Sequence, residues 1–179
     1  SLQGIFPELR HIQEGWQIII RTRFFIRFIG KDLLPLQALL LNLRQLKEMQ
    51  LQQTVKKSYS FEGKGLHTGR VARMTINPAP ADTGIRFRRT DLGEDAYIDA
   101  LAENVSSTAR STTISCGDAS VSTIEHVMSA LTGMGVDNAI IDIDNVEVPI
   151  LDGSAKPYID AIWKDGFQEQ DAPRKYIEL

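Results

Sequence analysis

The sequence predicts an α+β domain in which two helices pack on one face of a mixed sheet. Three observations carry that expectation. From Ser58 onward the chain breaks into short alternating runs separated by turn residues. An apolar stripe with helical spacing lies between Ser122 and Thr132, and a second one follows Ser154. The order of strands, helix, two strands and helix suits a layered α+β structure.

Ser58-Tyr59-Ser60-Phe61 opens the strand region, and Gly63-Lys64-Gly65 reads as a turn after it. In Ala72-Arg73-Met74-Thr75-Ile76 apolar residues alternate with polar ones until Pro78-Ala79-Pro80 stops the run. Ile85-Arg86-Phe87-Arg88 repeats the alternation and places both arginines on a solvent face, so the sheet is expected to be one-sided. Ile124, Val127, Met128 and Leu131 then fall at i, i+3, i+4 and i+7, one face of a helix that Gly133 and Gly135 can end. Strand texture returns at Val136 to Asp144 and again at Val146 to Leu151, where Asp152-Gly153 breaks it. Ser154 is placed to cap a last helix with Pro157 in its first turn. Its expected buried stripe is Tyr158, Ile159, Ile162 and Trp163, and Gly166 terminates it.

The segment before Ser58 has another character. Residues 1–57 carry nine Lys/Arg against four Asp/Glu, and residues 58–179 eleven against nineteen. Its apolar runs, Trp16 to Ile20, Phe24 to Ile26 and Leu39 to Leu41, are interrupted by Arg21, Arg23, Arg27, Lys31 and Asp32. No run reaches the ~18–20 uncharged residues of a spanning helix, so no integral membrane segment is expected. No small-residue cleavage site follows, which argues against a signal peptide. Leu36 to Leu51, rich in Leu, Gln and Lys, has helical composition.

With 42% apolar and 24% charged residues in 179, the chain can bury a core. Its single cysteine, Cys116, excludes an internal disulfide framework and a thiolate zinc knot, and fits a reducing, cytoplasmic compartment. A net charge of -3 and the lack of any helix-turn-helix, zinc-finger or RNA-binding signature leave no case for nucleic acid as a partner.

The chemistry concentrates in Val121-Ser122-Thr123-Ile124-Glu125-His126. At 100° per residue from Ile124, the core stripe stays within about 60°, Glu125 lies at about 100° and His126 at about 200°. A histidine turned from the core at a helix start is free to bind a metal, and an adjacent carboxylate can take a proton from activated water. The same residues fit a capping box, Ser122-x-x-Glu125, which taken alone is the simpler reading. One histidine does not hold a catalytic zinc, and only His11 and His67 stand elsewhere. Gly65-Leu66-His67-Thr68-Gly69 is either a tight turn or a loop whose backbone approaches a ligand. Arg86, Arg88, Arg89 and Arg110 are candidates for a diphosphate, with a solvated strand face as the plain alternative.

Taken together, Gly63 to Gly69, Asn77-Pro78-Ala79-Pro80, Phe87-Arg88-Arg89-Thr90-Asp91, Ser122 to His126 and Pro149 to Ala155 resemble the UDP-3-O-acyl-N-acetylglucosamine deacetylases of Gram-negative bacteria. The five motifs occur in family order and spacing over about residues 54 to 165. The resemblance implies a zinc-dependent amide hydrolase of lipid A biosynthesis acting on a UDP-sugar lipid precursor. It also implies two similar α+β domains with zinc between them, of which this chain carries the first. It makes His126 a zinc ligand, Glu125 the general base, and His67 and Thr112 substrate-binding residues. The remaining ligands, a histidine and an aspartate, and a general-acid histidine would come from a C-terminal domain that this chain lacks, so the chain alone is expected to be inactive. The alternative is a non-catalytic domain that binds a sugar nucleotide. The detail of the motifs looks most like members from the Bacteroidota, some of them fused to a dehydratase. The implied layout is an extension over 1–53 with Met49 a plausible natural start, a deacetylase domain over 54–170, and the beginning of a linker over 171–179.

Overall fold

The computed structural model describes residues 50–175. The segment before Gln50, with its expected helix from Leu36 and the start at Met49, lies outside the described residues. Ten strands occur among those described: β1 (Leu51–Val55), β2 (Tyr59–Lys64), β3 (Val71–Pro78), β4 (Ile85–Arg89), β5 (Tyr97–Asp99), β6 (Val105–Ser107), β7 (Thr113–Cys116), β8 (Ala119–Ser122), β9 (Ala139–Ile143) and β10 (Phe167–Pro173). Helix α1 (Glu125–Gly133) lies between β8 and β9, and α2 (Lys156–Ile162) between β9 and β10.

The main sheet has the order β2-β3-β9-β4-β5. Strands β4 and β9 run parallel, from Ile85↔Ala139 to Arg89↔Ile143, and the other neighbours are antiparallel, which makes the sheet mixed. Period-two alternation sorts its faces: Ala72, Met74 and Ile76 of β3, Phe87 of β4 and Ala139, Ile141 and Ile143 of β9 are buried. Arg73, Arg86 and Arg88 stand on the other face, each paired with a carboxylate. Val127, Ala130 and Leu131 of α1 and Tyr158 and Ile162 of α2 join the same apolar cluster as the buried sheet residues, so both helices cover that one face. The expected α+β class and one-sided mixed sheet are those observed.

Helix α1 ends as its glycine foretells. Gly135 adopts φ 75, and the N–H of Val136 reaches back to the carbonyl of Leu131 at 2.9 Å, the left-handed cap that spares orphan carbonyls. In α2, Lys156 N–H donates to the Ser154 hydroxyl at 3.1 Å, and Pro157 occupies the first turn. Trp163 departs from its expected place. It is 61% exposed, in a 3-10 turn after α2, and meets Phe167 edge-on. The change from α to 3-10 winding rotates it off the Tyr158–Ile162 stripe.

Two segments differ in kind from the sequence reading. Val146 to Leu151 is not a strand of the sheet. It crosses the ends of two others, with Ser122 N–H to Val146 O at 2.9 Å, Val148 N–H to Ser122 O at 3.1 Å and Ile150 N–H to Lys64 O at 2.9 Å. The turn after β2 also comes later than expected, because pairing continues to Lys64↔Val71 and the chain reverses only beyond Gly65.

Strands β1 and β10 lie where the sequence shows no strand pattern. They pair antiparallel from Leu51↔Pro173 to Val55↔Phe167, on both sides of the boundaries expected near 53 and 170. A buried polar seam holds them to the main sheet. The Asn138 side chain donates to Gln52 Oε1 at 2.8 Å and Gln170 Oε1 at 2.7 Å and accepts from Gly84 N–H at 2.8 Å, while Thr54 Oγ1 donates to Asn138 O at 2.7 Å.

Candidate active site

Strand β8 delivers the chain to α1 through Thr123, which adopts φ 61, a conformation a β-branched residue rarely takes. Beyond it Ile124 is buried, as are Val127 and Leu131, and Met128 is half-buried against the same cluster. This leaves Glu125 exposed and His126 half-exposed at the first turn.

No capping box forms. The Ser122 hydroxyl donates to Val146 O at 3.3 Å, and no side chain caps α1. The Glu125 carboxylate turns instead to Thr112, whose N–H donates to its Oε1. Burial, the largest single influence, pushes the Glu125 carboxyl up. The helix's own N–H at Glu125, the backbone and hydroxyl of Thr112 and the neighbouring His126 together outweigh it and hold the group below its ordinary value. The helix start therefore presents an ionised carboxylate beside an imidazole, fixed to the half-buried Thr112 that precedes β7.

His67 lies on the exposed turn between β2 and β3. Its N–H donates to Glu147 Oε1 at 2.9 Å and that of Thr68 to Glu147 Oε2 at 2.8 Å, while Thr123 Oγ1 donates to Glu147 Oε1 at 3.0 Å. Glu147 is 1% exposed. Nothing in its sequence context, an apolar run from Val146 to Leu151, marked it as more than a strand residue. Alternation with Val146 and Val148 puts Glu147 on the polar side of an expected strand; its burial and its donors come from the irregular path of this segment, for which the sequence carries no local signal.

The arginines are largely committed. Arg86 pairs with Asp99, Arg88 forks onto Asp142 at 2.6 and 2.7 Å, and Arg89 forks onto Asp91 at 2.8 and 2.7 Å while donating to Ser120 O at 2.6 Å. Arg110, at φ 67, is exposed two residues before Thr112. Among the described residues no group of three or more His, Cys, Asp or Glu side chains is arranged to hold a metal ion. The chemistry of the pair suits a zinc hydrolase in two separate ways: the imidazole of His126 is a single zinc donor, and the ionised carboxylate of Glu125 beside it is a proton acceptor for water.

The family model for UDP-3-O-acyl N-acetylglycosamine deacetylases matches residues 52–179. The UDP-3-O-acyl-N-acetylglucosamine deacetylase of Teredinibacter turnerae is 51% identical over 128 residues, 72% of this chain and 42% of that protein. That of Citrifermentans bemidjiense is 54% identical over 129 residues, with the same shares. The bifunctional enzyme LpxC/FabZ of Porphyromonas gingivalis is 51% identical over 128 residues, 72% of this chain and 28% of its own. The chain spans about two fifths of the length of the deacetylases it matches. No helix among the described residues is long and apolar enough to cross a membrane.

Proposed function

Because this chain belongs to the UDP-3-O-acyl N-acetylglycosamine deacetylase family, we propose that it supplies Glu125 and His126 to zinc-dependent removal of the N-acetyl group from a UDP-3-O-acyl-N-acetylglucosamine. This is a step of lipid A biosynthesis in the cytoplasm. The observation that carries the proposal is the pairing of an ionised carboxylate with an imidazole at the start of α1, both clear of the core.

His126 would hold the metal. The other ligands and the general acid that the family resemblance implies would come from outside the part of the relatives that this chain matches. When bound, zinc supplies Lewis-acid polarisation of the acetyl carbonyl and lowers the pKa of water toward 7. Glu125 accepts the proton of the attacking water. It is not tied into a capping box with Ser122, and the donors that hold it, its own N–H and the backbone and hydroxyl of Thr112, leave one of its roughly four lone-pair sites for the water's proton. Water is consumed, the C–N bond breaks, and acetate and a free amine result. His67 and Thr112 border the substrate, Thr112 holding the base and His67 standing on the exposed loop.

In the full-length protein, His126→Ala should lower zinc content, whereas Glu125→Ala should retain zinc and lose about 10²–10⁴ in turnover. Metal analysis and a deacetylation assay measure both. Equal loss of zinc from the two variants would make Glu125 a ligand and overturn the assignment. Residues 1–179 alone should show little turnover, and robust chelator-sensitive activity from them would move the metal site elsewhere.

A further inference from the structure

Glu147 is the most deeply buried carboxylate among the described residues, at 1% exposure, yet the groups that satisfy it are neutral. They come from two separate places. The N–H groups of His67 and Thr68 and the Thr68 hydroxyl reach it from the loop between β2 and β3, and the Thr123 hydroxyl reaches it from the junction of β8 and α1. Its backbone is anchored as well, since Val146 O and Val148 N–H on either side bond Ser122.

The surrounding sequence conforms to this carboxylate. A Cβ on Gly65 would lie 2.7 Å from the Glu147 carboxyl carbon and 2.6 Å from Thr68 Oγ1, so space, not backbone conformation, demands glycine there. Thr123 takes its left-handed conformation, φ 61, while its hydroxyl meets Glu147 Oε1. The two elements it joins are those that carry the site candidates. One bears His67, and the other ends two residues before Glu125.

We infer that Glu147 is a positioning residue, fastening the His67 loop to the Thr123 junction and thereby fixing that loop relative to the helix start that bears Glu125 and His126. The inference rests on the deacetylase reading for its chemical purpose, but the mechanical link stands on the contacts above. A carboxylate suits the task because both its oxygens accept, whereas an amide in its place would turn an N–H₂ donor toward an N–H donor.

Nuclear magnetic resonance of the 179-residue chain tests the link without zinc or activity. Glu147→Gln should speed amide exchange at His67 and Thr68 by about tenfold or more, while Phe87 and Ile141 stay within about twofold. It should also displace the ring C–H resonances of His126. Gly65→Ala, with Glu147 intact, should reproduce both effects by displacing the carboxylate. Should Glu147→Gln fail to fold, Thr123→Val removes one donor at nearly constant shape and should move the His126 and His67 signals together. Release of the loop with the His126 signals unmoved would overturn the inference, as would acceleration spread evenly over the core. If the full-length protein proves not to be a zinc deacetylase while these signals respond as described, the link holds and the functional reading falls.

Discussion

The Glu147 carboxyl is subject to opposing pulls. Burial, the largest, raises it, and the donors from His67, Thr68 and Thr123 together bring it below its ordinary value of 4.5. A folded-state value below the unfolded one adds stability that is fully present above 4.5 and is lost as pH falls through the folded value. Glu147→Gln should therefore destabilise the chain at pH 7 and do so less at pH 3. Urea midpoints of both proteins at the two pH values check it, and an equal loss at both would show that charge is not what the donors hold. The sequence exposes Glu125 and His126 because helical spacing separates them from Ile124, Val127 and Leu131. It hides Glu147 because Val146-Glu147-Val148 alternates like a strand. It also mimics a cap at Ser122-x-x-Glu125, since nothing local reveals that Thr123 turns left-handed.

At the scale of elements, hydrophobic periodicity finds what apolar contacts hold. Strands β3, β4 and β9 and the stripe of α1 were legible for that reason. Strands β1 and β10 escape it, because two of the three buried residues of Leu51-Gln52-Gln53-Thr54-Val55 are the polar Gln52 and Thr54, and Phe167 to Pro173 buries only Ala172 fully, so neither shows an apolar alternation. Asn138 is the centre of that seam, serving Gln52, Gln170, Gly84 and Thr54 at once. Asn138→Ala should cost about 3 kcal/mol, since each buried group left without a partner forfeits about 1–3 kcal/mol. Asn138→Asp should also destabilise, because the two amide oxygens would face a carboxylate. Chemical denaturation of both variants measures it, and a loss under about 1 kcal/mol would mean that water readily replaces the side chain.

For the whole molecule, the family match begins at residue 52 and the first described strand at Leu51. Removal of residues 1–48 should leave the thermal midpoint of the remainder within about 5 °C, the shift that about 1 kcal/mol produces in a domain of this size. Further removal through Val55 should lower it well beyond that, because β1 would be gone and β10 left unpaired. Calorimetry on the two truncations distinguishes a dispensable leading segment from one the fold requires.

The pairing of Leu51 with Pro173 has one more consequence. The two strands are antiparallel, so the chain enters and leaves this unit at neighbouring points on one side. A unit threaded in this way is a cassette: spliced into a surface loop of a host protein, it need not stretch that loop apart, and its original termini can be joined by a short tether to open new ones elsewhere. Genetic rearrangement can thus add to either end, or copy the whole, without asking the sheet or the helices to change course.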